Sequence, residues 1–110
     1  MSETNPIPEI SVAELADRHG DAWILDVRQP DEYEEVHVPG ATLIPLDQLP
    51  DRRAEVPADV DVYVVCRSGG RSAAAVVVLN GAGHRATNVV GGTLAWIDEG
   101  HPVATGPEAG

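Results

Sequence analysis

Val62-Tyr63-Val64-Val65-Cys66-Arg67-Ser68-Gly69-Gly70-Arg71-Ser72-Ala73-Ala74-Ala75 decides how the rest of the chain is read. The β-branched run leading to Cys66 predicts a buried strand over 60–65. The alanine, valine and leucine run after it predicts a helix over 72–80. A glycine-rich turn joins the two. Glycines let successive backbone N–H groups face one centre, and the helix start adds the positive end of a dipole. Such a turn favours a thiolate and accepts an anion beside it.

Elements alternate on either side of this stretch. Glu9-Ile10 reads as a short edge strand. Ser11-Val12-Ala13-Glu14 is a capping box for a helix to Arg18, with Gly20 placed to end it. Trp23 to Val27 reads as a buried strand, and Pro30 to Glu35 as a short helix with acids at its start. Val38-Pro39-Gly40-Ala41 carries the proline-glycine pair of a type II turn. A short strand over 42–45 and a short helix capped by Asp47 and reaching Arg53 follow. After the central helix, Gly81 and Gly83 mark its end, 87–90 is a last strand and 92–99 a last helix. Val76 to Leu79 is apolar on all sides, which predicts a heavily buried helix.

This alternation predicts an α/β fold of three layers, with a central, mostly parallel sheet and helices on both faces. In open parallel sheets ligands bind beyond the C-terminal strand ends, where Cys66 lies. Residues 9–103 form one domain; 1–8 read as a flexible N-terminal arm and 104–110 as a flexible tail.

The 110 residues carry a formal net charge of −11, which argues against general nucleic-acid binding. Two of the seven basic residues nevertheless flank Cys66, so a locally cationic loop sits on an acidic body. That pattern points to a small anionic substrate or to a partner docking at the loop. No apolar stretch approaches membrane-spanning length, and no basic-then-apolar leader opens the sequence. The single cysteine cannot form an internal disulfide, which fits a reducing compartment. A cytoplasmic location is the expectation, with no membrane partner.

A lone cysteine is more often an inert small residue than a nucleophile, but the loop around Cys66 reverses that balance. Its turn lowers the pKa of a thiol, and only the thiolate attacks. Gly69 and Gly70 read as a cradle of N–H groups rather than as plain turn residues. Arg67, on the outer side of the loop, is placed to bind an anionic donor. Arg71, at the helix start, is placed to hold the loop through its carbonyls. Ser68 is a candidate donor to the sulfur; Ser72 is equally a candidate helix cap. Asp26 and Arg28 end a neighbouring strand and read as an ion pair supporting the loop, with Asp26 alternatively orienting an arginine of it. His37 reads as structural and Trp96 as core. His19, His84 and His101 show no ligand spacing with each other or with Cys66, so no metal and no cofactor is expected.

Taken together, the motifs resemble the rhodanese family in its single-domain form. They are Leu25-Asp26-Val27-Arg28, Glu32-Tyr33, His37-Val38-Pro39-Gly40-Ala41, Ile44-Pro45, the loop 66–72, Asn88-Val89, Gly91-Gly92, Ala95-Trp96 and Gly100-His101-Pro102-Val103. They occur in the family's order and span nearly the whole chain. Val36 departs from the pattern, where the family usually has glycine; the departure lies in a turn away from Cys66. The resemblance implies a sulfurtransferase with Cys66 as the catalytic residue. Cys66 would take a sulfane sulfur from a small anionic donor such as thiosulfate, and cyanide or a thiol would remove it. Arg67, Ser68, Gly69, Gly70, Arg71 and Ser72 would form the substrate-binding loop, and a sulfur-relay protein is a possible partner.

Other functions fit less well. Phosphatases of this fold separate cysteine and arginine by five residues; here four residues separate Cys66 from Arg71, and Val65 replaces the histidine before the cysteine. Arsenate reduction usually needs a second, resolving cysteine. A partner-binding module without turnover would not need the full loop, although a sulfur relay would.

Overall fold

The computed structural model describes residues 7–110. Five strands form one sheet in the order β1-β5-β4-β2-β3, all pairs parallel. The strands are β1 (Glu9–Ile10), β2 (Trp23–Asp26), β3 (Thr42–Leu43), β4 (Asp61–Val65) and β5 (Arg85–Val89). Between them run α1 (Val12–Arg18), α2 (Pro30–Glu35), α3 (Leu49–Arg52) and α4 (Gly70–Gly81); α5 (Gly92–Asp98) follows β5.

Successive side chains of a strand point to opposite faces, so each strand feeds two cores. On one face Leu25, Val64 and Cys66 pack with Ile44, Leu49, Ala75, Val76 and Leu79. On the other, Ile24, Val65 and Val89 pack with Val12, Leu15, Tyr33 and Trp96. The three-layer α/β arrangement expected from the alternation is therefore present. The register sets Asp26 beside Val65, so the ends of β2 and β4 present Asp26, Arg28 and Cys66 at one edge of the sheet.

Local signals hold in several places. Ser11 and Glu14 close the capping box of α1, with Glu14 N donating to Ser11 Oγ at 3.1 Å. Gly40 takes φ 85° in the expected turn, and Ala41 N donates to Val38 O. Trp96 is buried in the core, and its indole N–H donates to Pro102 O at 2.6 Å. His37 is fully buried, stacked 3.7 Å from Tyr33 with Nδ1 2.7 Å from Tyr33 O.

Other expectations are corrected. α4 begins at Gly70, two positions before the expected start, and Ser72 lies inside it rather than capping it. Nor is that helix buried all round: Val77 is 60% and Val78 40% exposed. An outer-layer helix has one face to bury, and the 3.6-residue period turns Ser72, Ala75, Val76 and Leu79 inward. Asp47 caps nothing. It sits within a 3-10 turn, Leu46–Gln48, that follows Pro45. Gly20 lies within another such turn, His19–Asp21, that extends α1.

The expected N-terminal arm falls mostly outside the described residues, although Pro8 O accepts a bond from Asn88 N. The segment 104–110 runs along the loop after α2. Ala104 and His37 exchange two backbone bonds of 2.9 Å, and Gly40 N donates to Ala109 O. Among the described residues no helix is long and apolar enough to cross a membrane.

Candidate active site

Cys66 directly follows the last residue of β4 and is only 1% exposed. Its side chain turns inward beneath the loop, where Gly69 N donates to Sγ at 3.1 Å and the Ser72 hydroxyl lies 3.3 Å from it. Gly69 makes this possible with φ 120°, a conformation that L side chains rarely adopt. Burial pushes the Cys66 thiol up. The Ser72 hydroxyl and the backbone N–H groups of Ser72, Gly69 and Ser68 outweigh it and bring the thiol below its ordinary value. The acidification thus comes mainly from hydrogen bonds, with Arg71 close enough to interact electrostatically with the thiolate. Ser68 contributes its backbone N–H rather than its hydroxyl.

The two arginines part company. Arg71 forms a two-pronged ion pair with Glu32 of α2, at 2.7 and 2.9 Å. It does not hold the loop through carbonyls as expected; it fastens the first turn of α4 to α2. The guanidinium holds the Glu32 carboxyl at about 2, well below the usual range. Among the described residues Arg67 has no carboxylate partner. It is exposed and lines a cavity of about 270 Å³ together with Arg28, Glu35, Val36, Leu94 and Ile97. A larger cavity of about 600 Å³ lies at the opposite end of the sheet, among Asp17, Arg18, Trp23, Asp61 and Arg85. It takes in neither the thiol nor the loop, whereas the smaller one is lined by Arg67, the residue next to Cys66.

Asp26 and Arg28 form a buried ion pair of 2.8 Å, with exposures of 0% and 4%. Arg28 also donates to Val36 O at 2.8 Å, which ties the end of β2 to the end of α2. Asp26 therefore engages Arg28 rather than an arginine of the loop.

Three features of the site escaped the reading of the residues. Glu32 is one; its spacing from Gln29 marks a capping box, but nothing local pairs it with Arg71. Asn88 on β5 is another, accepting from the Ser72 hydroxyl at 2.6 Å. The third is the start of α5, where Thr93 N donates to Cys66 O and Leu94 N to Arg67 O. Gly92 permits that approach, since a Cβ there would overlap both carbonyl oxygens.

A thiol at a parallel strand end, ringed by N–H groups and followed by a helix, fits the likeness to known proteins. Residues 11–99 match the family described as "Rhodanese-like domain". The chain belongs to the rhodanese family. It is similar to a "Sulfurtransferase" of Allochromatium vinosum, 39% identical over 81% of this chain and 83% of that one. It is also similar to the "Putative sulfur carrier protein YrkF" of Bacillus subtilis, 37% identical over 82% of this chain and 51% of that one. Among solved structures, a rhodanese-related protein of Thermoplasma volcanium superposes with a TM-score of 0.85 at 34% identity, over 88% of this chain and 97% of that one. These rhodanese relatives support a role in sulfur transfer. Within the rhodanese fold seen here, the loop 66–72 occupies the C-terminal edge of the parallel sheet.

Proposed function

We propose that this protein is a sulfurtransferase that carries sulfane sulfur as a persulfide on Cys66. Thiosulfate is the proposed donor. The Cys66 thiolate attacks the outer sulfur, a new S–S bond forms, and sulfite leaves with the electron pair of the broken S–S bond. Cyanide or a thiolate then attacks the terminal persulfide sulfur. Thiocyanate or a new persulfide departs, and the Cys66 thiolate returns. No external oxidant or reductant is needed, and the two half-reactions give ping-pong kinetics.

The observation that carries this reading is the inward cradle of donors: Gly69 N–H at 3.1 Å and the Ser72 hydroxyl at 3.3 Å from Sγ. A persulfide's terminal sulfur is anionic, so donors of this kind support the intermediate as well as the thiolate. Arg67, exposed at the adjoining cavity, is proposed to bind the dianionic donor, while Arg71 and the Asp26–Arg28 pair hold the loop in shape. The alternative of a phosphatase is weakened because Arg71 is already occupied by Glu32.

Intact mass spectrometry after incubation with thiosulfate tests the proposal. One added sulfur, removed by cyanide, is expected. A chain that gains no sulfur from thiosulfate overturns thiosulfate as the donor. A relay role is supported by the likeness to a protein named as a sulfur carrier, and it predicts loading from a protein persulfide in place of thiosulfate.

A further inference from the structure

Asn88 has no part in the chemistry above, yet it is 3% exposed and placed directly behind the residue that touches the sulfur. The Ser72 hydroxyl lies 2.6 Å from Asn88 Oδ1 and 3.3 Å from Cys66 Sγ. A serine hydroxyl has one proton, so it can donate to one of these at a time. An oxygen pair at 2.6 Å requires a proton between the two atoms.

Two states of Cys66 therefore need two arrangements. With Cys66 a thiol, its S–H donates to Ser72 Oγ, and the hydroxyl donates onward to Asn88 Oδ1. When the thiol proton leaves to buffer, the thiolate becomes the stronger acceptor, because bonds to a charged partner are about twice as strong. The hydroxyl then turns to the sulfur. Ser72 Oγ would face Asn88 Oδ1 with lone pairs on both sides, unless the amide turns over and offers its NH₂ group. That turn gives up the 3.4 Å contact of Asn88 Nδ2 to Gly69 O and sets Oδ1 opposite that carbonyl, a long oxygen pair in place of a 2.6 Å one.

We infer that Asn88 is a positioning residue for Cys66, its amide accepting from Ser72 beside the thiol and, turned over, donating to Ser72 beside the thiolate or persulfide. An amide can do both; a carboxylate can only accept. The inference rests on the reading of Cys66 as the sulfur carrier. The other charged groups at this end of the sheet, on elements packed around the loop, are Asp26 at the end of β2 and Arg28 after it, Asp31, Glu32, Glu34 and Glu35 on α2, Arg67, Arg71 and, in the last turn of α5, Asp98. None of them changes in the comparison below.

The pH dependence of Cys66 alkylation is to be measured for wild type, Asn88→Asp, Ser72→Ala and the double variant. Asn88→Asp holds the hydroxyl away from the sulfur, so the midpoint should rise. Its carboxylate also acts through space, and the Ser72→Ala background measures that part alone. The rise should be about one pH unit larger with Ser72 present, the size of one charge-assisted hydrogen bond. Equal rises in both backgrounds, or none, overturn the inference. Should Asn88→Asp fail to fold, NMR of the wild-type protein decides. The Asn88 side-chain amide resonances should move with the Cys66 midpoint and lose most of that movement in Ser72→Ala; resonances indifferent to Cys66 overturn it. Sulfur loading from thiosulfate is scored separately by mass, so failure of the donor assignment cannot be mistaken for failure of the Asn88 role.

Discussion

Cys66 is a buried sulfur whose ionisation is set by hydrogen bonds from its own loop. Replacing it with serine keeps the volume and removes the carrier, so Cys66→Ser should abolish sulfur loading while the circular dichroism spectrum is retained. Turnover near the wild-type rate would show that some other atom carries the sulfur. The alkylation midpoint should fall below the unperturbed ~8.5, because the folded protein stabilises the thiolate. The sign for stability follows. Between the folded and unfolded thiol values the unfolded chain binds more protons, so stability rises with pH across that window and is complete above the unfolded value. Arg67 poses a separate question. Arg67→Ala should raise KM for thiosulfate and lower kcat/KM roughly ten- to a hundredfold, as expected for a charge-assisted contact worth about 1.5–3 kcal/mol. Unchanged thiosulfate kinetics would make it a surface charge or a contact for an acceptor protein.

At the scale of elements, the Arg71–Glu32 pair and Gly92 decide where the loop sits. The Glu32 carboxyl is held at about 2 against an ordinary 4.5. A carboxylate depressed in this way contributes stability that is present above the unfolded value and is lost as pH falls through the folded one. The pair is partly exposed, at 35% and 25%, so solvent screening reduces its worth to about 1–2 kcal/mol. Glu32→Gln should flatten the acid limb of the stability curve, read by urea unfolding between about pH 2 and 4.5. The same substitution should slow persulfide formation by loosening the first turn of α4. Gly92→Ala is expected to act more harshly, pushing α5 off the carbonyls of Cys66 and Arg67; normal loading in that variant would deny α5 its part in the loop. On α4 itself, Leu79→Ala should cost about 2–5 kcal/mol, whereas Val77→Glu, on the exposed side, should stay within about 0.5 kcal/mol. Equal costs by urea titration would mean that Val77 is covered in solution.

Over the whole molecule, the C-terminal segment closes the ring of contacts around His37. His37 exchanges two backbone bonds with Ala104, and its ring lies against Ala109 O. A chain ending at Val103 should lose about 1–3 kcal/mol, the worth of a few hydrogen bonds at a buried histidine, and its Tm should drop by several degrees. An unchanged Tm would support the reading of residues 104–110 as a loose tail. Because residues 104–110 bond to Glu34, His37 and Gly40 and not to the loop 66–72, sulfur loading should survive the truncation at low temperature.

The residues alone carried the parallel α/β order, the strand end at Cys66, the capping box at Ser11 and the turn at Gly40. Each depends on neighbours within a few positions, where periodicity and backbone preference act directly. The buried place of Trp96 came the same way. The site itself was legible only in part. Arg71 meets Glu32 across 39 positions and Ser72 meets Asn88 across 16, so no local spacing announces either pair. Gly91-Gly92 stood in the sequence as a motif, but its purpose depends on α5 arriving at the carbonyls of the loop. The four-residue run Val76 to Leu79 looked uniformly buried because composition does not say how many sides of a helix are covered. That number is fixed by the layers, and an outer-layer helix has one face on the sheet and one in water. Local chemistry thus determined which elements form and where the thiol stands; tertiary packing decided which partner each polar group of the site would find.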